Sequence, residues 1–98
     1  MQSINPEEFY KISKKKNLNI IDVRERNEFS AGHIPESKNL PLSSLALNTK
    51  ALSKDEVYHV ICASGGRSTV ATTLLSKFGY NVTNVEGGVA AWKGALIR

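Results

Sequence analysis

The chain has 98 residues, enough for one folded domain over residues 1–98 and too few for two. Its 41% hydrophobic and 22% charged residues are typical of an ordinary globular protein and exclude a disordered chain. The formal net charge of +4 is mildly basic, but the sequence has neither a basic face interleaved with aromatic residues nor a zinc-finger spacing. We therefore expect no nucleic-acid partner, no metal and no other cofactor.

The cysteine count and the hydropathy pattern bear on the compartment. Cys62 is the one cysteine of the chain, so no internal disulfide can form and nothing indicates an oxidising compartment. No apolar run approaches the roughly 18 residues of a membrane span, and the first residues lack the basic and apolar segments of a signal peptide. We therefore expect a cytoplasmic protein with no membrane partner.

The N-terminal third of the chain is predicted to form a helix, a strand and a second helix. Residues 5–8 place an Asn cap, a proline and two acids at a helix start, and we expect that helix to reach about Lys15. Residues 18–23 (LNIIDV) are mostly apolar and β-branched, which is typical of a strand covered on both faces. Residues 24–31 are polar and end at Gly32, which predicts a short helix.

Two further strands and the clearest helix follow. Residues 57–61 (VYHVI) and 81–85 (NVTNV) predict strands, and residues 39–41 a short edge segment. Residues 68–78 predict a helix that is ended by Gly79. The expected apolar stripe of this helix comprises Val70, Ala71, Leu74, Leu75 and Phe78.

The alternation of strands and helices predicts a small α/β domain with a mainly parallel sheet, closed by a last helix through Trp92. In such sheets, ligands bind beyond the carboxyl ends of the strands. Cys62 and Asp22 both stand at such ends. This placement favours residues 62–67 as the functional site.

The segment from Cys62 to Ser68 follows a predicted strand and opens a predicted helix. Its small residues, which let the backbone curl tightly, are Ala63, Ser64, Gly65 and Gly66. A tight loop at a helix N-terminus directs several backbone N–H groups inward and forms an anion pocket. The helix dipole and the guanidinium of Arg67 both favour negative charge there.

A cysteine that opens such a loop is expected to have a lowered pKa and to exist largely as thiolate near neutral pH. A lone cysteine at a strand end is often a small buried core residue, but the Gly-Gly-Arg-Ser sequence that follows Cys62 favours an anion site. Acyl-transfer enzymes pair their cysteine with a histidine, whereas His33 and His59 lie elsewhere in the chain. Attack of a preformed thiolate on a sulfane sulfur needs no general base, so we expect both histidines to be structural.

Three blocks of this sequence resemble the rhodanese homology domain, and together they cover nearly the whole chain. They are residues 20–25 with 28–29 and 32–35, residues 62–67 of the C-x-x-G-x-R kind, and residues 86–92. The resemblance implies a three-layer α/β fold with a five-stranded, mainly parallel sheet flanked by helices. One departure is visible, because residues 35–39 replace the small Gly-Ala pair that the family usually carries after its His-Ile-Pro turn.

The resemblance also implies an activity, namely sulfur transfer by double displacement through a cysteine persulfide. Thiosulfate would be the usual donor and cyanide or a thiol the acceptor, and a protein persulfide is a possible donor as well. On that pattern Cys62 is the nucleophile, the amides of residues 63–68 cradle the sulfur, and Arg67 binds the anionic donor or steadies the persulfide.

Asp22 and Arg24 match the Asp-x-Arg pair of the same family. Arg24 and Glu28 stand four residues apart on a predicted helix, so we expect them to form an ion pair and Arg24 to be mainly architectural. Asp22, at a strand end, is expected to order nearby loops.

Two other functions remain open at this point. Phosphatases and arsenate reductases that share this fold use a loop of the form C-x5-R, whereas Cys62 and Arg67 give C-x4-R, a smaller ring of amides better matched to one sulfur atom. A non-catalytic binding module is the other alternative. Such modules commonly lose the cysteine, which this chain keeps.

Overall fold

The structure, a computed structural model, describes residues 2–98 as alternating strands and helices. The strands are β1 (Gln2–Ile4), β2 (Asn19–Asp22), β3 (Lys38–Asn39), β4 (Val57–Ile61) and β5 (Asn81–Val85). The helices are α1 (Pro6–Lys15), α2 (Arg26–Ala31) and α3 (Gly66–Lys77), and single 3₁₀ segments span Leu42–Leu47, Thr49–Ala51 and Val89–Ala91. Over the described residues, no helix is long and apolar enough to cross a membrane.

The strands form one sheet in the order β1-β5-β4-β2-β3, and the four neighbouring pairs are all parallel. This arrangement confirms the expected five-stranded α/β fold. In the register of β2 and β4, Asp22 pairs with Ile61, and the backbone N–H of Val23 donates to the carbonyl oxygen of Ile61 across 2.9 Å. The segments that follow these two central strands therefore emerge side by side at one edge of the sheet.

Apolar side chains cover both faces of the sheet. Because side chains alternate along a strand, Val60 and Cys62 belong to the core beneath α3, whereas Ile61 belongs to the core beneath α1 with Phe9. The side chain of Cys62 therefore lies on the α3 side of the sheet, next to the start of that helix.

Helix α1 and strands β4 and β5 agree with the sequence prediction. Asn5 caps α1, its side-chain oxygen accepting the backbone N–H of Glu8 at 2.8 Å, and β4 and β5 have the predicted bounds. Strand β1 was not predicted. It pairs with β5 at the edge of the sheet, where Gln2 stands opposite Thr83.

The predicted apolar stripe of α3 is only half right. Ala71 and Leu75 are buried, but Val70 is 57% exposed and Phe78 43% exposed. The helix presents small polar residues to the sheet instead, since Thr72 is fully buried and its hydroxyl donates to the Ser68 carbonyl oxygen at 2.6 Å.

Two other predicted elements are shorter than expected. The last helix is a single 3₁₀ turn over Val89–Ala91, because Trp92 already has an extended backbone. The helix predicted over residues 24–31 begins at Arg26, since Glu25 takes the capping position and its backbone N–H bonds to the side chain of Glu28 at 2.9 Å.

Candidate functional site

The loop between β4 and α3 is as tight as the sequence indicates. Cys62 follows the last residue of β4, and α3 begins at Gly66. Gly65 turns the chain with a φ of 119°, in the left-handed region that residues with a Cβ rarely adopt. The turn brings the start of α3 back over the cysteine.

The sulfur of Cys62 is enclosed by groups from this loop. The backbone N–H of Gly65 donates to Sγ across 3.0 Å, and the hydroxyl oxygen of Ser68 lies 3.5 Å from Sγ. The Ser68 hydroxyl is also 3.1 Å from the carbonyl oxygen of Gly65. Cys62 is only 1% exposed, so these contacts form in a site that is largely closed to water.

The electrostatics of this enclosure favour a charged sulfur. Burial by itself raises the pKa of the Cys62 thiol, but hydrogen bonds from the Ser68 hydroxyl and from the amides of Ser68, Gly65 and Ser64 outweigh it. The pKa therefore lies below its ordinary value. The N-terminus of α3, a helix of 12 residues, adds the positive end of its dipole.

The amides predicted to cradle sulfur are those of residues 63–68. In the structure the Gly65 amide donates to the thiol sulfur, and the amides of Ser64 and Ser68 help to lower its pKa. The role of each amide of residues 63–68 in holding a transferred sulfur stays a prediction.

Arg67, the other predicted site residue of the loop, is held by a carboxylate. Its Nη1 lies 2.6 Å from Oε1 of Glu28, and its Nη2 lies 2.8 Å from Oε2, so the pair has two parallel hydrogen bonds. The Arg67 hydrogen bonds and a backbone hydrogen bond from Glu25 hold the pKa of Glu28 at about 2. Glu28 in turn raises the pKa of the Arg67 guanidinium, and the nearby charge of Cys62 adds to that rise.

The predicted ion pair between Arg24 and Glu28 is therefore wrong. Arg24 instead pairs with Asp22 across 2.8 Å, and the same Nη2 also donates to the carbonyl oxygen of Gly32 at 2.8 Å. Asp22 is fully buried and Arg24 is 8% exposed, so the pair ties the end of β2 to the end of α2 inside the molecule. The side-chain amide of Asn39 donates to the carbonyl oxygens of both residues, at 3.0 and 2.9 Å, which orders the neighbouring loops.

The segment after β5 hydrogen-bonds to the backbone of the loop between β4 and α3, a contact that we call the brace. The backbone N–H of Val89 donates to the Cys62 carbonyl oxygen at 2.8 Å, and that of Ala90 donates to the Ala63 carbonyl oxygen at 3.0 Å. Gly88 permits this approach, because its φ of 62° and ψ of −161° suit glycine alone and a Cβ there would lie 2.5 Å from the Cys62 oxygen. Reasoning from the residues alone missed this brace, although the Gly-Gly pair that follows a strand could have indicated it.

Neither histidine is hydrogen-bonded to Cys62 in the structure of residues 2–98. His59 faces the other side of the sheet, with its ring 5.6 Å from that of Phe9. The ring of His33 stacks on that of Phe29 at 3.8 Å, and its Nδ1 lies 2.8 Å from the carbonyl oxygen of Phe29. Within the described part of the chain, no group of three His, Cys, Asp or Glu residues could hold a metal ion.

Known proteins resemble this chain in both sequence and structure. A family model described as a rhodanese-like domain matches residues 5–95. The chain is 38% identical over 84 residues to YtwF of Bacillus subtilis, a match that covers 86% of this chain and 82% of that protein. It is 34% identical over 74 residues to a protein of Allochromatium vinosum named sulfurtransferase, covering 74% and 69% of the two chains. The crystal structure of a rhodanese-related protein from Thermoplasma volcanium matches with a TM-score of 0.90 at 38% identity, and covers 99% of this chain and 98% of that one.

Proposed function

The chain belongs to the rhodanese-like family, and we propose that it is a sulfurtransferase in which Cys62 carries a sulfane sulfur, as a persulfide, from a donor to an acceptor. The relatives named as sulfurtransferases support the general activity. The observation that carries the proposal is the 3.0 Å hydrogen bond from the Gly65 amide to Sγ of Cys62, in a loop that lowers the pKa of the thiol.

The reaction proceeds in two displacements. With thiosulfate as donor, the Cys62 thiolate attacks the outer sulfur, the S–S bond of thiosulfate breaks, and sulfite leaves with the bond electrons. The product is the Cys62 persulfide. An acceptor such as cyanide then attacks the outer sulfur of that persulfide and leaves as thiocyanate, which regenerates the thiolate.

The loop suits both states of Cys62. The free thiolate and the persulfide each carry one negative charge, and amide N–H groups favour such a charge without taking part in proton transfer. A preformed thiolate also removes the need for a paired histidine. Asp22 and Arg24 order the loops next to the site through their buried ion pair. In this proposal neither residue contacts the donor.

Intact mass spectrometry tests the proposal directly. Incubation with thiosulfate should add one sulfur atom to the protein, and subsequent cyanide should remove it. The Cys62→Ser variant should show neither change. A wild-type chain that gains no sulfur from thiosulfate or from any persulfide donor would refute the assignment.

A role for Arg67 in binding the anionic donor is part of the proposal. Arg67→Ala should raise the KM for thiosulfate while the thermal unfolding midpoint changes little, because the side chain is partly exposed. Arg26→Ala is the matched control, since it removes an exposed arginine from α2. Equal loss of activity in both variants would contradict a binding role for Arg67.

A further inference from the structure

The ion pair between Glu28 and Arg67 fixes the arginine side chain and bears on which sulfur donors the site accepts. We propose that Glu28 is a specificity-determining residue, which disfavours doubly charged donors such as thiosulfate and favours thiol persulfides, R–S–SH, of low net charge. The inference rests on the proposed function and specifies the class of donor.

The guanidinium of Arg67 is already occupied by Glu28. Both Nη atoms of its guanidinium already donate to the Glu28 carboxylate, at 2.6 and 2.8 Å. A donor that uses the same face of Arg67 must displace this carboxylate or approach with it in place. Glu28 has a pKa of about 2, so it is charged at neutral pH.

A second carboxylate lies close enough to influence Arg67. The carboxylate of Glu25 also acts on Arg67, and it accepts the Ser43 hydroxyl at 2.8 Å. Two carboxylates thus accompany one guanidinium beside the loop, before the thiolate itself is counted. The positive charge of Arg24 does not reverse this balance, because it is paired with buried Asp22.

Thiosulfate brings a larger charge to this surrounding than a thiol persulfide does. Thiosulfate carries two negative charges and releases sulfite, which also carries two, into this surrounding. A charge of that size is disfavoured beside two carboxylates, and a donor of low net charge is disfavoured far less.

A persulfide donor satisfies the chemistry of Cys62 without a further reactant. The thiolate attacks the outer sulfur of R–S–SH, a bond forms between Sγ and that sulfur, and the S–S bond of the donor breaks. The bond electrons leave with R–S⁻, and the proton of the transferred sulfur is released to water, giving the anion Cys62–S–S⁻. No oxidant or reductant is consumed.

The test compares two donors, thiosulfate and cysteine persulfide, with the wild-type chain and the Glu28→Gln variant. Removal of the carboxylate charge should raise kcat/KM for thiosulfate about tenfold, mainly through KM, and raise kcat/KM for cysteine persulfide much less. The ratio of the two values should therefore move about tenfold toward thiosulfate. Glu8→Gln, which neutralises an exposed carboxylate on α1, should leave the ratio unchanged.

The outcomes separate this inference from the proposed function. If neither donor loads sulfur onto wild-type Cys62, the proposed function fails. If both donors load Cys62 but Glu28→Gln leaves the ratio unchanged or moves it away from thiosulfate, only the specificity role of Glu28 is overturned. A general loss of folding in Glu28→Gln would lower both values together, whereas a folded variant in which Glu28 has no specificity role would keep both values near those of the wild type.

Discussion

The backbone N–H of Val89 donates to the carbonyl oxygen of Cys62 across 2.8 Å, so the segment that follows β5 holds the peptide unit of the proposed sulfur carrier. In a trans peptide unit the C=O and N–H groups point in opposite directions. Because the carbonyl oxygens of Cys62 and Ala63 face this segment, the N–H groups of Ala63 and Ser64 point away from it. The brace behind the loop thus orients the amides in front of it.

A side chain at position 88 should lower the stability of the protein. In Gly88→Ala, the added Cβ would meet the carbonyl oxygens of Cys62 and Ala63 at 2.5 Å, in a backbone conformation that suits only glycine. We expect a loss of about 3 kcal/mol in the free energy of unfolding, measured by urea denaturation. Gly66→Ala is the matched control. A Cβ at Gly66 meets nothing within 4 Å at the first position of α3, so its unfolding free energy should fall by no more than about 0.5 kcal/mol.

The Ser68 hydroxyl should set the acidity of the thiol. It makes the largest favourable contribution to the lowered pKa of Cys62 against the opposing effect of burial, so Ser68→Ala should raise that pKa. The ultraviolet absorbance of the thiolate as a function of pH measures this pKa, because the chain has one cysteine, with Cys62→Ser as the blank for tyrosine ionisation.

Ser64→Ala controls for the loss of a hydroxyl from the same loop. Ser64 acts on the sulfur through its backbone amide, which the substitution keeps, so the pKa of Cys62 should stay at the wild-type value. A pKa that is unchanged in Ser68→Ala would show that the amides and the helix dipole suffice alone.

Buried His59 should make the protein less stable in mild acid. Burial lowers its pKa, with a smaller contribution from the charge of Lys16. In mild acid the unfolded chain therefore binds a proton at this histidine that the folded chain does not bind. Stability should therefore fall as the pH drops below the unfolded histidine pKa of about 6.5, by at most about 1.4 kcal/mol per pH unit. His59→Phe should reduce this slope in urea denaturation measured at several pH values.

Glu28 contributes to the loss of stability in acid over a lower pH range than His59 does. Its folded pKa is about 2, below the ordinary glutamate value of about 4.3. The stability that it adds is therefore present above about pH 4.3 and is lost as the pH falls toward 2. A His59→Phe variant whose slope between pH 7 and 5 equals that of the wild type would contradict the assignment to His59.

Glu36 should carry backbone strain that glycine relieves. Its φ of 73° is left-handed, it follows Pro35, and the N–H of Ser37 donates to the Ile34 carbonyl oxygen at 3.1 Å, a pattern typical of a type II turn. Glu36→Gly should raise the free energy of unfolding by about 1 kcal/mol, measured by urea denaturation. Glu36→Ala removes the carboxylate but keeps the Cβ, so it should give no such gain.

Much of the fold could be predicted from the sequence, because local patterns decide it. Residues 57–61 and 81–85 are runs rich in β-branched residues and bounded by turns, and both are strands with those bounds. Strand β1 could not be predicted in this way, since its three residues hold a single apolar side chain and depend on pairing with a strand 81 residues away. The family resemblance, rather than the residue pattern, indicated the number of strands.

The candidate site was also predictable only in part. The tight loop from Cys62 to Ser68 was predictable, because small residues between a strand and a helix let the backbone curl and turn its amides inward. The partner of Arg67 was not. Sequence spacing favoured Glu28 pairing with Arg24, four residues away, but the packing of α2 places Glu28 against a residue 39 positions later.

The near-complete enclosure of Cys62 also bears on the durability of the protein. Thiolates are readily oxidised to sulfenic acid and then irreversibly to sulfinic acid, and many proteins limit this damage with a second cysteine that traps the first product. This chain has no such rescue, since it has one cysteine. With 1% of that residue exposed, burial limits the approach of peroxide and of sulfur donors alike, so it slows oxidation of Cys62 between turnovers without preventing it.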